Sequence, residues 1–332
     1  MTPDPVAVAE AADVLRTGGL VAFPTETVYG LGARGLDPAS VARIFEAKGR
    51  PGGHPLILHV DGEEMARGLA AEWSPRAAAL AAAFWPGPLT LVVPRAAHVP
   101  PEVSGGLATV GLRAPVHPVA LALIAAAGEP IAAPSANAHT HVSPTTAEHV
   151  VRSLGDRVDL VLDAGPCRHG IESTVVAVGA HDEPLRVLRP GAVTLEALRA
   201  IDPHTVDATS TIAEGPRPAP GMAAKHYAPR TRVVLAPRGQ VGWTVAEATV
   251  PAATNSFRVA AIVATTSGES DAAGCEPLIV LPDEPAGYAR GLYSALHEAD
   301  EAGVDLLVIE APPDGDVAWW AIADRLRRAA KA

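Results

Sequence analysis

The sequence predicts an α/β protein of two domains, the second smaller and built on a parallel sheet. Three observations lead there. Short apolar stretches of strand length alternate with longer ones whose apolar residues recur at helical spacing. That alternation fails between Asp202 and Arg230, where Pro203, Pro216, Pro218, Pro220 and Pro229 stand with Gly215 and Gly221, and then resumes. Of the 332 residues, 48% are hydrophobic and 19% charged, which supplies a sizeable core and argues against disorder.

The elements follow in order. Pro3–Thr17 has helical spacing and stops at Gly18-Gly19. Leu20–Pro24 reads as a short buried strand. Asp37-Pro38 is an N-cap followed by a first-turn proline, and opens a helix that Gly49 ends just after Lys48. Leu56–Val60 is a strand, Ser74-Pro75 opens another helix, and Leu89–Pro94 is a strand. Further strands are expected at Thr109–Arg113, Pro130–Ala133, Asp159–Leu162, Ser173–Val178 and Leu185–Leu188, with helices at His117–Ala127, Pro144–Leu154 and Leu195–Ala200. Ser143-Pro144 repeats the cap signature. Residues 1–201 thus form the first domain and 202–231 a linker, long enough to be functional in itself. In 232–332, strands at Val233–Ala236, Val259–Ala264, Leu278–Leu281 and Leu306–Glu310 alternate with helices at Ala286–Ala299 and Val317–Ala330.

Charge and composition remove several function classes. The net charge is −11, with 26 basic and 37 acidic residues. It divides as −5 over 1–200 (15 basic, 20 acidic), zero over 201–231 (3 and 3) and −6 over 232–332 (8 and 14). A protein that holds a long nucleic acid by bulk electrostatics shows a basic surplus, so stable nucleic-acid binding is not expected. No apolar run reaches the roughly 18 residues of a membrane helix. Asp4, Glu10 and Asp13 stand where a secretory signal would be basic. Two cysteines, Cys167 and Cys275, cannot build a disulfide framework, and a cytoplasmic setting is expected. Only three of the basic residues are lysine: Lys48, Lys225 and Lys331. A lysine kept in an arginine-rich chain marks a place for a compact ammonium rather than a planar fork.

The chain has no phosphate loop with a terminal Gly-Lys-Ser/Thr and no nucleophile elbow. Tyr29–Gly35 is glycine-dense, equally a tight turn or a ligand loop. Lys48-Gly49-Arg50-Pro51-Gly52-Gly53-His54-Pro55 sets two cations at a helix end between glycines and prolines, an arrangement suited to a polyphosphate. Pro134-Ser135-Ala136-Asn137 places a hydroxyl and an amide after a strand, at a sheet edge where α/β proteins bind ligands. Arg113 ends another strand, where it either pairs with a structural carboxylate or receives a substrate carboxylate. Glu172-Ser173-Thr174 adds hydroxyls and Arg189 a further cation. His139, His141, Glu148 and His149 read as solvated loop residues rather than a metal site.

Together these segments resemble the YrdC-like threonylcarbamoyl-AMP synthase family in its long form. The resemblance rests on Gly19–Ala33, Lys48–Pro51, His54–His59, Phe84–Thr90, Pro134–Asn137, Ser143–Thr145, Ile171–Thr174, Leu188–Gly191, Ala219–Met222 and Lys225–Pro229. It implies an open twisted α/β sheet followed by a Rossmann-like domain. The implied activity is that of a nucleotidyltransferase, an L-threonylcarbamoyladenylate synthase. It condenses ATP, L-threonine and bicarbonate with Mg²⁺, releases pyrophosphate, and feeds a downstream transferase complex that modifies tRNA. It implies catalytic roles for Lys48 and Arg50. ATP contacts are implied for Lys48, Arg50, His54, Thr109, Ser135, Asn137, Ser143, Arg189 and Tyr227, the last as part of a lid. A threonine pocket is implied at Thr27, His59, Arg113, Ala133 and Ser173, and no metal-ligating residue is assigned. An RNA-binding regulatory module of the same fold is the competing reading; it would need a basic face. The chain departs from the family pattern at Ala138–His141, at Ala219 and at Ala223-Ala224.

Overall fold

A computed structural model describes residues 4–179, 183–209, 226–249 and 257–331. They fall into two compact units. The first takes the described residues up to 209 except Thr140–Val142, which belongs with the second, from 226 onward.

In chain order the first unit comprises α1 (Pro5–Arg16), β1 (Val21–Phe23), β2 (Gly30–Arg34), α2 (Pro38–Lys48), β3 (Ile57–His59), α3 (Glu63–Leu69), α4 (Pro75–Phe84), β4 (Leu89–Pro94) and α5 (Pro101–Ser104). It continues with β5 (Thr109–Arg113), α6 (Pro118–Ala127), β6 (Ile131–Ala132), α7 (Ala147–Leu154), β7 (Leu160–Val161), β8 (Thr174–Ala177), β9 (Arg186–Arg189), α8 (Leu195–Ile201) and β10 (Val206–Asp207). Among the described residues its strands form one ten-stranded sheet in the order β10-β9-β8-β4-β5-β3-β6-β2-β1-β7. The sheet is mixed. Pairs β1/β7, β3/β5, β4/β8 and β9/β10 are parallel, and the others antiparallel.

Local chemistry sets the helix ends as read. The Asp37 carboxylate accepts from the Ser40 N–H at 3.0 Å, and the Ser74 hydroxyl from the Ala77 N–H at 3.2 Å. Gly49 takes φ 60° and stops α2 immediately after Lys48.

Four expectations need correction. The glycine-dense segment is strand β2, not a loop; a Cβ on Gly32 would lie 2.8 Å from the Phe23 ring and 3.0 Å from Ile131. Helix α7 starts at Ala147 with Thr146 as its cap, because the Ser143 hydroxyl donates instead to Glu172 at 2.6 Å. The sheet continues past residue 201, since β10 pairs with β9 inside the expected linker. Helices α3 and α5 fill stretches where no element was expected.

Sheet register decides where polar side chains go. Residues opposite one another share a face, as does every second residue along a strand. Arg189 stands opposite Val175, Val175 opposite Thr90, Val92 opposite Gly111, and Arg113 opposite His59. Arg189, Thr90, Thr109, Arg113 and His59 therefore share one face across five neighbouring strands. His59 stands opposite Ile131 in turn. Ile131 lies in the apolar cluster where Leu15 of α1 and Leu123 of α6 meet Val21, Phe23 and Ala133. Helices α1 and α6 thus cover the β6-β2-β1 end of this face, and the polar row begins where their cover ends.

The second unit comprises β11 (Arg232–Ala236), α9 (Val241–Thr249), β12 (Val259–Val263), α10 (Thr266–Asp271), β13 (Leu278–Val280), α11 (Pro285–Glu301), β14 (Leu306–Glu310) and α12 (Trp320–Ala329). Its strands are all parallel, in the order β11-β14-β12-β13, as the alternating pattern suggested. Helices α9 and α10 were not expected from the sequence.

Candidate active site

The centre of the polar row is Arg113. Its Nη2 donates to Glu26 Oε1 at 2.6 Å and its Nε to the Gly87 carbonyl at 3.3 Å, with both side chains of the ion pair at most 5% exposed. The second Glu26 oxygen accepts the Val116 N–H at 3.3 Å, and the Glu26 carbonyl accepts the His169 N–H at 2.8 Å. The structure thus gives Arg113 a structural carboxylate, while its Nη1 has no partner among the described residues. Glu26 was not singled out from the sequence. The signal was there: a charge between Thr25 and Thr27 in a run that is otherwise apolar.

His59 lies beside Arg113 in register, with its Nδ1 buried and unpartnered. Burial, reinforced by the Arg113 cation, pushes its pKa from 6.5 down to about 3, so it works as a neutral imidazole. Thr27 is buried in the turn before β2, its hydroxyl 2.8 Å from that of Thr25. Ala133 packs close by; a Cβ on Gly30 would meet its methyl at 3.3 Å. The Cys167 thiol is buried, and burial pushes its pKa up to about 12, which makes it inert rather than nucleophilic.

At the β8 end, Arg189 donates through Nε and Nη2 to the Ser173 carbonyl at 3.1 and 2.9 Å, and through Nη2 to the Ser173 hydroxyl at 3.1 Å. That hydroxyl lies 2.8 Å from Thr90 Oγ1. Gly191 permits the arrangement: a Cβ there would stand 2.4 Å from the Thr174 nitrogen. Ser143 joins through Glu172, the residue before Ser173.

A second cluster forms where α2 ends. The buried Lys48 ammonium donates to the carbonyls of Ser135 and Asn137, each at 2.5 Å, and the Lys48 carbonyl accepts the His139 N–H at 2.8 Å. Burial, then the cations of Arg50 and Arg157, drive the Lys48 pKa well below its ordinary 10.5. Arg50 Nη2 reaches the Pro55 carbonyl at 3.4 Å, and the rings of His54 and His139 have centroids 5.7 Å apart. The two sequence signatures, Lys48-Gly-Arg50 and Ser135-Ala-Asn137, are thereby laced to each other. A Gly30–Ser135 bridge joins this loop to β2, the strand that follows the Thr25–Val28 turn.

Comparison with known proteins bears on what this arrangement is. Residues 13–191 match the family described as "Telomere recombination", and residues 193–331 match the "Threonylcarbamoyl-AMP synthase, C-terminal domain". The threonylcarbamoyl-AMP synthase of Pyrococcus abyssi is 41% identical over 96% of this chain and 92% of its own. That of Bacillus subtilis is 39% identical over 99% and 94%. The crystal structure of P. abyssi Sua5 complexed with L-threonine superposes with a TM-score of 0.91 at 38% identity, covering 99% of this chain and 96% of that one.

The chain belongs to the threonylcarbamoyl-AMP synthase family.

The Escherichia coli YciO structure resembles it over 57% of its length, with a TM-score of 0.52 at 25% identity. Lys225, together with Ala219–Ala224, lies outside the described residues. Tyr227 belongs to the second unit, where it is buried, stacked on Tyr293 at 5.8 Å and lying under the Arg325 guanidinium at 5.2 Å.

Among the described residues no group of three or more His, Cys, Asp or Glu could hold a metal ion. The carboxylates of the site are engaged, Glu26 by Arg113 and Val116, Glu172 by Ser143. This donor set does not make a protein-held Mg²⁺ site. His149 Nδ1 lies 3.3 Å from the Thr145 hydroxyl.

Proposed function

We propose that this chain condenses L-threonine, bicarbonate and ATP to threonylcarbamoyl-AMP and pyrophosphate, as a nucleotidyltransferase of the cytoplasm. Its product would supply the transferase complex that installs threonylcarbamoyl groups on tRNA. The observation that carries this reading is the pair of uncommitted polar groups on the sheet face, Arg113 Nη1 and His59 Nδ1. An amino-acid carboxylate suits the first, and a hydroxyl proton the second.

The reaction asks little covalent chemistry of the protein. The threonine amine and bicarbonate give a carbamate and water; a carbamate oxygen attacks the α-phosphorus, and pyrophosphate leaves. Gathering anions and stabilising developing charge is enough. In this reading Arg113 takes the threonine carboxylate. Thr27, His59, Ala133 and Ser173 shape the rest of its pocket. Lys48 and Arg50, the catalytic cations, serve the phosphates, with Arg189 at the far end of the row. His54, Thr109, Ser135, Asn137 and Ser143 supply further nucleotide contacts. Mg²⁺ would arrive with ATP, held by phosphate oxygens and water.

The test is a turnover assay on the purified chain. Pyrophosphate is expected only when ATP, L-threonine and bicarbonate are all present. Release that does not depend on threonine overturns the assignment.

A further inference from the structure

Glu26 carries an inference that rests on the threonine reading and extends it. An arginine at its centre would by itself suit the pocket to an anion. Its charge balance says otherwise. Glu26 lies 2.6 Å from Arg113, and both are almost fully buried, so the guanidinium is already neutralised by a fixed carboxylate. Screening by water is weaker at such burial, and each charge feels the other more strongly than it would at the surface. His59, the next polar side chain on the face, adds no charge because burial keeps it neutral. Cys167 stays a thiol. The buried ions paired at this end of the face are Arg113 and Glu26; Arg189 is held by Ser173, Glu172 by Ser143, and Lys48 by the Ser135 and Asn137 carbonyls.

A ligand that brings one net negative charge into such a place leaves that charge uncompensated in a low-dielectric setting. A zwitterion does not. Its carboxylate meets Arg113 Nη1, while its ammonium is drawn toward the negative charge that Glu26 supplies. We infer that Glu26 is a specificity-determining residue which makes the pocket select an amino acid over the corresponding hydroxy acid or amine. Glu26 is also well anchored for such a role. Its second oxygen takes the Val116 N–H and its carbonyl the His169 N–H, so it cannot swing away when ligand enters.

The experiment compares three ligands by calorimetry: L-threonine, 3-hydroxybutyrate (threonine without its amine) and 1-amino-2-propanol (threonine without its carboxylate). Wild-type protein is expected to bind threonine at least about 100-fold more tightly than either charged analogue. In Glu26→Gln, which keeps the shape and removes the charge, the preference for threonine over 3-hydroxybutyrate should shrink about tenfold or more. Glu26→Asp should restore most of it. If wild type binds 3-hydroxybutyrate within about threefold of threonine, the inference falls, whether or not the Gln variant folds. It also falls if Glu26→Gln weakens both ligands equally, since that is a purely orienting role. Failure of wild type to bind threonine at all would instead overturn the threonine reading, and this inference with it.

Discussion

The ammonium of Lys48 donates to the carbonyl oxygen of Ser135 at 2.5 Å from a buried position, and to that of Asn137 at the same distance. The lysine therefore builds the loop that carries the Ser-Ala-Asn signature, whatever it also does for a phosphate. Lys48→Ala leaves two carbonyls without their donor, at a stability cost of about 1–3 kcal/mol. Loss of a placed cation should lower kcat/KM for ATP about 100-fold or more. Lys48→Arg is not expected to rescue, because a planar fork cannot serve both carbonyls from the same buried point. Steady-state kinetics with a thermal melt on each variant checks this; a folded Lys48→Ala protein with unchanged turnover would make the lysine a mere helix cap.

His59 predicts an acid-sensitive stability. Its folded pKa is depressed to about 3 by burial and Arg113, against an ordinary 6.5. Between those values the unfolded chain binds a proton that the folded chain refuses. Stability that is complete above pH 6.5 is therefore lost as pH falls toward about 3, by about 1.4 kcal/mol per pH unit. From pH 6.5 to 5 the loss attributable to His59 is about 2 kcal/mol. Urea unfolding of wild type and His59→Gln at pH 7 and pH 5 isolates it, because other groups titrate alike in both proteins. An equal acid-induced loss in the two would refute the assignment of a neutral, desolvated imidazole.

How much of this could be read from the sequence depends on how far each determinant lies along the chain. The caps Asp37 and Ser74 bond to residues three positions on, and both were legible. The parallel sheet of the second unit was legible from alternation alone. Segment Gly30–Arg34 was not, because its local composition is that of a turn. Its glycines answer to Phe23 and Ile131, which only sheet pairing brings there. Ser143 looked like a cap, but Glu172, 29 residues on, takes its hydroxyl. Arg113 was left between two partners until folding brought Glu26 to it from 87 residues away. The placement of His59, Thr90, Ser173 and Arg189 on one face needed the register of five strands, although the motifs holding most of them were already visible.

Gly191 makes a tight backbone approach at the β8 end of the site. A methyl there would lie 2.4 Å from the Thr174 nitrogen and 2.5 Å from the Glu172 carbonyl oxygen, both main chain and unable to move alone. Gly191→Ala should push the entry to β8 away from the Arg189 turn and shift Ser173, which Arg189 grips by carbonyl and hydroxyl. Overpacking of this kind costs about 1–3 kcal/mol. Activity should fall more than stability does, since Ser173 is displaced even in molecules that fold. A Gly191→Ala variant with wild-type melting and wild-type KM for threonine would show that the backbone relaxes without disturbing the pocket.

Glu310 makes the corresponding prediction for the second unit. It ends β14, buried, and its carboxylate accepts from the N–H groups of Ala264 (2.9 Å), Thr265 (3.0 Å) and Gly239 (3.3 Å) and from the Thr265 hydroxyl (2.6 Å). Burial alone would raise its pKa, but these donors outweigh burial and hold it below the ordinary 4.5. The carboxylate thus ties the ends of β11, β12 and β14 together, contributing stability that is present above pH 4.5 and lost as pH falls below it. In Glu310→Gln the amide group must turn its own N–H toward one of those donors, and a charge-assisted bond worth about 1.5–3 kcal/mol is lost. Hydrogen exchange at pH 7 should show the Ala264 and Thr265 amides opening about ten- to a hundredfold more often in the variant, with β3 and β5 of the first unit unchanged. Unaltered protection at Ala264 and Thr265 would mean that the backbone of those loops holds its shape without the carboxylate.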